Sequence, residues 1–217
     1  MLFNDHVLFV HAPKTAGMSV TALLKENLQG PITISAPEGH EQSTEKVTII
    51  PGLRHEWLFK AEELLLPLGR SLDSFKRIIS VIRNPYDLEV SMYHYLRLGH
   101  KYDAGYAQNL AISGDFEKFC SEARYVGRNP SDIQVWYLLG ERLLPNMRII
   151  RFEGLELGLR SAIGEFLPEK WSMPRENSTK HESYRSYLTV NIERAIYRKY
   201  SWVFDMGFYS RDPIAQI

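Results

Sequence analysis

Short runs of apolar residues separated by helix-like segments dominate the chain. The apolar runs cover residues 7–10, 47–50, 78–82 and 147–152. Helical patterns are predicted over residues 18–28, 56–66, 85–98 and 190–200. Continuous Val, Ile and Leu runs that alternate with helices are typical of strands buried on both faces. The pattern therefore predicts an α/β fold around a largely parallel sheet.

Two segments lack a clear period and are predicted to be surface loops near a site. Residues 30–46 are rich in Pro, Gly, Ser, Thr and Glu, and residues 99–114 carry Gly, Tyr and Asp. Such excursions commonly carry the residues that bind ligands.

Composition narrows the classes of partner. The 217 residues, 44% of them hydrophobic, suffice for one domain spanning residues 1–217. Lys plus Arg and Asp plus Glu number 26 each, so the net charge is zero and no overall positive potential attracts nucleic acid. Any anion site must be built by local residues. No apolar run approaches the roughly 20 residues that span a bilayer, and no basic leader is present, so we expect a cytoplasmic protein without an integral membrane segment. The lone Cys120 excludes an intrachain disulfide and is predicted to be a small buried hydrophobe.

The segment after the first apolar run has the composition of a phosphate-binding loop. It reads Pro13, Lys14, Thr15, Ala16, Gly17, Met18, Ser19. It falls where a parallel sheet presents its ligand crevice, between a strand and a helix N-terminus whose N–H groups favour anions. Lys14 supplies charge, Gly17 allows close approach, and Thr15 and Ser19 supply hydroxyls. The alternative is an ordinary turn with a surface lysine. The triphosphate motif Gly-x-x-x-x-Gly-Lys-Ser/Thr is absent, which argues against ATP.

Arg83 and Ser91 form a second candidate anion site. Arg83 ends the third apolar run, and Ser91 lies two turns into the following helix. A guanidinium fork and a directed hydroxyl can hold a second phosphate. The alternative is that Arg83 pairs with Asp87 and that the serine faces solvent.

These motifs carry a family resemblance. Residues 10–19 resemble the 5′-phosphosulfate loop of carbohydrate sulfotransferases, and residues 80–93 resemble their 3′-phosphate motif. Residues 151–155, 177–185 and 197–208 are similar to the family's later segments, so the resemblance covers nearly the whole chain. It implies a P-loop-like three-layer αβα fold and transfer of a sulfuryl group from 3′-phosphoadenosine-5′-phosphosulfate (PAPS) to a hydroxyl, with a glycan or other sugar as the expected acceptor.

The resemblance also implies roles for particular residues. The 5′-phosphosulfate would be held by Pro13, Lys14, Thr15, Ala16, Gly17, Met18 and Ser19. The 3′-phosphate would be held by Arg83 and Ser91, and Lys180 and Tyr184 would lie in a loop that closes over the nucleotide. Met18 stands where the family usually has a threonine, and Leu88 where an arginine is frequent, so donor affinity is expected to be lower than the motifs imply.

Catalysis of sulfuryl transfer needs charge stabilisation and a base. Lys14 is the candidate for stabilising the departing phosphate. His55 is the first candidate for general base, because the family often places a histidine between the second strand and the next helix; Glu56 and His181 are alternatives. His11 is interpreted as a positioning or packing residue. The seven histidines lack metal-ligand spacing, so no metal is expected.

Two other functions stay open at this point. One is a small-molecule kinase that uses the same strand-loop-helix cradle with ATP. The other is a non-catalytic nucleotide-binding module that binds adenosine 3′,5′-bisphosphate (PAP). The sequence leaves the acceptor's identity and the oligomeric state open.

Overall fold

The computed structural model describes residues 1–99, 105–124, 132–174 and 182–213. Its strands are β1 (Leu2–Phe3), β2 (Val7–Val10), β3 (Ile32–Ala36), β4 (Val47–Pro51), β5 (Arg77–Ile82) and β6 (Met147–Arg151). Its α-helices are α1 (Gly17–Asn27), α2 (Leu58–Leu65), α3 (Pro85–Arg97), α4 (Tyr106–Ser113), α5 (Phe116–Glu122), α6 (Leu155–Ile163), α7 (Val190–Lys199) and α8 (Ser201–Asp205).

The strands form one sheet in the order β4-β3-β1-β2-β5-β6. The short β1 runs antiparallel to both of its neighbours, whereas β2 with β5, β5 with β6, and β3 with β4 pair in parallel. Strands β2 to β6 therefore all run in one direction. The predicted α/β class with a mostly parallel sheet is confirmed. One consequence is that β2 and β4 end at the same edge of the sheet.

The central strands form where the sequence is apolar without interruption. All four residues of β2 are buried, as are five of the six in β5. Their parallel register pairs Leu8 with Ile78 and Phe9 with Ile79. One face packs against α1 and α6 in a core built from Val7, Phe9, Val20, Leu23, Leu24, Ile79, Val81, Ile150, Leu159 and Ile163, among others. This core fixes β2 and α1, and with them the loop that joins the two elements.

Both segments predicted as loops contain regular structure, so those predictions were wrong in part. Strand β3 lies within residues 30–46, and its Ser and Thr, with the prolines on either side, hid the alternation that buries Ile32, Ile34 and Ala36. Helix α4 lies within residues 99–114, where buried Leu110 and Ala111 hold it. In addition, α2 begins at Leu58 rather than at residue 56, because the backbone at residue 57 is extended.

Helices α3 and α7 begin at side-chain caps. The Asn84 side-chain oxygen accepts a hydrogen bond from the Tyr86 N–H at 2.9 Å, and Pro85 occupies the first helical position, as predicted. At α7 the Thr189 hydroxyl oxygen accepts from the Ile192 N–H at 3.2 Å. These caps fix the first residues of both helices, Pro85 and Val190, which are the starts predicted from the sequence.

The chain divides into two compact units. One comprises Met1–Ile82 and Val135–Asn177, and the other Arg83–Gln134 and Ser178–Ile217. The sheet lies in the first unit. In the second, Cys120 is buried as expected, and burial raises the pKa of its thiol far above the ordinary value. Within the described residues, no helix is both long enough and apolar enough to cross a membrane.

Candidate active site

Residues 13–19, which include the first three residues of α1, are called the anion loop here. Lys14 and Ala16 both have left-handed backbone conformations, with φ of 60° and 61°. Left-handed residues at alternate positions turn successive backbone N–H groups toward one side of a loop, which creates a concave anion-binding nest. Two non-glycine residues with positive φ in one short loop are costly. Strained backbone of this kind clusters at ligand-binding sites, so this loop stays the candidate anion site.

The start of α1 adds to the positive character of the anion loop. Ala16 occupies the N-cap position without a side-chain hydrogen bond, and the first turn contains no acidic residue. The N–H groups of a first helical turn have no intrahelical acceptor and carry the positive end of the helix dipole. Ser19 is buried in this turn. The Thr15 hydroxyl instead donates to the Ala12 carbonyl at 2.9 Å, so this side chain closes the loop.

Gly17 is required by the close approach of His11. A Cβ atom at Gly17 would lie 1.8 Å from both Cδ2 and Nε2 of the His11 ring. His11 is only 3% exposed and stacks on Phe9, with ring centroids 5.5 Å apart. Its Nδ1 has no hydrogen-bond partner within the described part of the chain. Burial, followed by the neighbouring charge of His55, holds the pKa of His11 well below its usual value, so its ring is neutral.

His55 contacts His11 through a hydrogen bond and a ring contact, and Trp136 holds its backbone. Its Nδ1 lies 2.8 Å from the His11 carbonyl oxygen, and the two rings meet edge to face at 4.4 Å. The Trp136 indole N–H donates to the His55 carbonyl at 3.1 Å. A carbonyl oxygen only accepts, so Nδ1 carries the proton in neutral His55 and Nε2 carries the lone pair. This tautomer leaves Nε2 as the basic atom.

Two neighbours of His55 have different environments. The Glu56 carboxylate is 7% exposed and accepts a hydrogen bond from the Leu53 N–H, which ties it into the turn after β4. The Arg54 guanidinium reaches Met18 on α1, with Nη1 3.1 Å from the sulfur. Sequence reasoning assigned no individual role to Arg54 or Trp136. The adjacency of Arg54 to His55 was the available signal, whereas Trp136 gave none.

In the second unit, Arg83 immediately precedes α3. Its Nε donates to Asp87 Oδ2 at 2.7 Å, and the two side chains are 11% and 20% exposed. Asp87 and Ser91 are four residues apart and share one face of α3. Ser91 is 1% exposed. The alternative interpretation is therefore half right, because Arg83 does pair with Asp87, but Ser91 does not face solvent.

Tyr184 begins a short 3-10 helix, Tyr184–Tyr187, in the second unit. Its hydroxyl donates to the Pro213 carbonyl at 3.0 Å, and its ring stacks on Tyr86 with centroids 6.1 Å apart. The Tyr86 hydroxyl donates to the Arg211 carbonyl at 2.7 Å, and burial raises the pKa of Tyr86 to about 12. These bonds fix the Tyr184 turn to residues 211–213. Lys180 and His181 lie outside the described residues.

Acidic, histidine and cysteine side chains do not cluster as metal ligands. Within residues 1–99, 105–124, 132–174 and 182–213, no group of three or more could hold an ion.

A mostly parallel sheet whose first long strand leads through an anion nest into a helix defines a P-loop-like α/β protein. The sulfotransferase domain model matches residues 66–197. The chain therefore belongs to the sulfotransferase domain family, and the predicted PAPS-dependent enzyme class is confirmed. The matched region contains Arg83, Ser91 and Tyr184, whereas the anion loop and His55 precede it.

The fold comparison agrees with the family match. The crystal structure of mouse sulfotransferase SULT7A1 complexed with PAP matches 96% of this chain and 86% of that one, with a TM-score of 0.55 and 15% sequence identity. At this identity the likeness shows the fold. No curated protein sequence matches the chain. The family match favours sulfuryl transfer over the ATP-dependent kinase alternative.

Proposed function

We propose that this sulfotransferase transfers the sulfuryl group of PAPS to a sugar hydroxyl, and that the anion loop holds the 5′-phosphosulfate. The observation that carries the donor assignment is the pair of left-handed residues, Lys14 and Ala16, at the start of α1. The backbone N–H groups of this loop and of the first turn of α1 supply hydrogen-bond donors for the oxygens of the 5′-phosphate and of the sulfuryl group. Pro13, Gly17, Met18 and Ser19 complete the cradle, and Thr15 closes it.

The 3′-phosphate is assigned to Arg83 and Ser91. The bond from Arg83 Nε to Asp87 fixes the plane of the guanidinium, and a guanidinium is suited to hold a phosphate in bidentate fashion. Asp87 thus acts as a positioning residue for Arg83. Lys180 and Tyr184 are assigned to the segment that closes over the nucleotide, and the anchoring of Tyr184 to Pro213 supports a fixed position for that aromatic ring.

His55 is assigned as the general base. Nε2 of the neutral tautomer takes the proton of the acceptor hydroxyl as its oxygen bonds to sulfur. The bond from sulfur to the bridging phosphate oxygen breaks, and Lys14 neutralises the charge that develops on that oxygen. The products are PAP, the sulfate ester and protonated His55. Glu56 is less suited, because its buried carboxylate already accepts a backbone hydrogen bond.

A sugar is the acceptor class that the resemblance to carbohydrate sulfotransferases favours. Two exposed apolar side chains flank His55 in the chain: Leu53 is 58% exposed and Phe59 is 57% exposed. An exposed aromatic ring can stack on the C–H face of a sugar, while the neighbouring base meets one of its hydroxyls. These features support the carbohydrate assignment over a small charged acceptor.

The test is transfer of radiolabelled sulfur from PAPS, in EDTA, to a panel of probe acceptors: an N-acetylglucosamine oligosaccharide, a phenol and a primary alkanol. We expect label in the oligosaccharide alone, and we expect Phe59→Ala to raise the oligosaccharide KM with little change in kcat. Label that enters the phenol or the alkanol and spares the sugar would contradict the acceptor assignment while leaving the donor assignment intact.

A further inference from the structure

The Arg54 guanidinium lies against the first turn of α1. Its Nη1 is 3.1 Å from the sulfur of Met18, the second residue of that helix. Arg54 follows β4, whereas Met18 belongs to the anion loop after β2, so two separate strand ends bring them together. The Arg54 side chain is 35% exposed. A cation is thus fixed beside the anion loop and still reaches solvent.

The Arg54 guanidinium adds positive charge beside a helix start that is already positive. The N-terminus of α1 carries the positive end of the helix dipole, its first turn has no acidic residue, and Lys14 adds a second cation to the same loop. The carboxylate that pairs with Arg54 is Glu41, at 3.5 Å, which is long for a hydrogen bond. Glu41 is also shared with Lys25 at 3.2 Å. An anion bound at the loop would turn this repulsion into attraction.

Met18 itself offers nothing to an anion. A thioether sulfur is a weak acceptor and has no proton to donate. Here the sulfur takes an N–H of Arg54 and so orients the guanidinium over the helix start. The guanidinium has five N–H donors in a fixed fork, enough to contact Met18 and Glu41 and still bind two oxygens of an oxyanion.

We propose that Arg54, positioned by Met18, is a further donor-binding residue that contacts the 5′-phosphosulfate end of PAPS. It supplies the hydrogen-bond donors that the side chain of Met18 lacks. This inference rests on the proposed function, in which the anion loop holds that end of the donor.

Calorimetric titration with two nucleotides isolates this contact. PAP has a phosphate at both ends, whereas adenosine 3′-monophosphate lacks the 5′-phosphate. Arg54→Gln should weaken PAP binding by about 10- to 100-fold, the range for charge-assisted hydrogen bonds, and leave the monophosphate unchanged. Lys60→Gln is the matched control, because Lys60 is an exposed cation of the same unit paired with Glu63 on α2. It should leave both titrations as in the wild type.

Two further variants complete the test. Arg54→Lys keeps the positive charge but lacks the planar guanidinium, so it should bind PAP with intermediate affinity. This variant tests the contact even if Arg54→Gln fails to fold. Adding Met18→Thr to Arg54→Gln should recover part of the PAP affinity, because a hydroxyl donor returns to the loop.

Three results would overturn the inference: wild-type PAP affinity in Arg54→Gln, equal weakening of both nucleotides, or no recovery with Met18→Thr. If the wild-type protein itself does not bind PAP, the proposed function falls as well. Wild-type PAP binding that is insensitive to Arg54 overturns this inference alone.

Discussion

The His11 carbonyl oxygen lies 2.8 Å from Nδ1 of His55, and this contact selects the tautomer in which His55 Nε2 is basic. His11 follows β2 and precedes the anion loop, and His55 follows β4. Strands β2 and β4 end at the same edge of the sheet. The backbone that leads into the donor loop therefore also orients the candidate base.

Replacement of His55 should separate catalysis from donor binding. His55→Ala should lower kcat by about 10²- to 10⁴-fold, the usual contribution of a general base, with PAP affinity unchanged. Steady-state kinetics with the best sugar acceptor and calorimetry with PAP measure the two effects. His6→Ala, at an exposed histidine of the same unit, is the control and should retain activity. Equal loss of activity in both variants would argue against His55 as the base.

Trp136→Phe tests the backbone support of His55. Trp136 is 3% exposed, and phenylalanine keeps most of the packing of its ring. The substitution removes the indole N–H that donates to the His55 carbonyl. We expect kcat to fall by about tenfold, the equivalent of one hydrogen bond, with PAP affinity unchanged. An unchanged kcat would show that the contact does not position the base.

Gly17→Ala should damage the anion loop, because the added Cβ would lie 1.8 Å from the His11 ring. We expect a loss of about 1–3 kcal/mol in unfolding free energy, as in overpacked cores, together with loss of PAP binding. Gly164→Ala is the matched control, since its Cβ would have nothing within 4 Å. Chemical denaturation and calorimetry measure both variants. A Gly17→Ala protein as stable as the control would contradict the packing of His11 on the loop.

Buried His11 should make the protein less stable in mild acid. The pKa of His11 lies well below 6.5 in the folded state, so below about pH 6.5 the unfolded chain binds a proton that the folded chain does not. The contribution of neutral His11 to the unfolding free energy is fully present above that pH. It decreases as the pH falls, by at most about 1.4 kcal/mol per pH unit. His11→Phe should reduce the pH dependence of the urea unfolding midpoint between about pH 5 and 6.5, whereas His6→Gln should leave that pH dependence unchanged. An unaltered pH dependence in His11→Phe would show that His11 is not the group responsible.

Removal of one partner from a buried ion pair of the second unit should be costly. Lys199 and Glu89 lie 3.0 Å apart with side chains 2% and 0% exposed, and the Tyr200 hydroxyl also donates to Glu89. Lys199→Met leaves the Glu89 charge buried without its cation and should cost about 3–5 kcal/mol of unfolding free energy. Lys60→Met breaks an exposed pair with Glu63 and should cost at most about 1 kcal/mol. Similar losses in the two variants would contradict a stabilising role for the buried pair.

The apolar runs predicted the long buried strands well, because continuous Val and Ile segments have few alternatives to a central parallel strand. Strand β3 was missed because its serine and threonine and the prolines on either side of it have the composition of a loop, although Ile32, Ile34 and Ala36 are buried. The two-residue β1 is too short to carry any pattern. The start of α3 followed from Pro85, which suits the first helical position, and α7 followed from apolar residues at helical spacing; the caps Asn84 and Thr189 were not used, although they mark both helix starts.

The positions of residues 13–19 after β2 and of Arg83 after β5 could be predicted, because both segments follow directly on apolar runs. The contacts that orient the site could not. The bond from Trp136 to His55 spans 81 positions, and that from Arg54 to Met18 spans 36. Each depends on how strands order within the sheet, which no local pattern encodes. The left-handed backbone at Lys14 and Ala16 was also invisible, since neither residue type favours positive φ.

The most direct test of the central claim is calorimetric titration of PAP, in EDTA, against the wild type, Lys14→Ala, Arg83→Ala and the surface control Lys60→Ala. We expect PAP binding without magnesium that Lys14→Ala and Arg83→Ala each weaken by about 1.5–3 kcal/mol, with Lys60→Ala equal to the wild type. Absence of PAP binding, or an equal preference for magnesium-ATP, would contradict the assignment of the anion loop and Arg83 to the two phosphates of the donor.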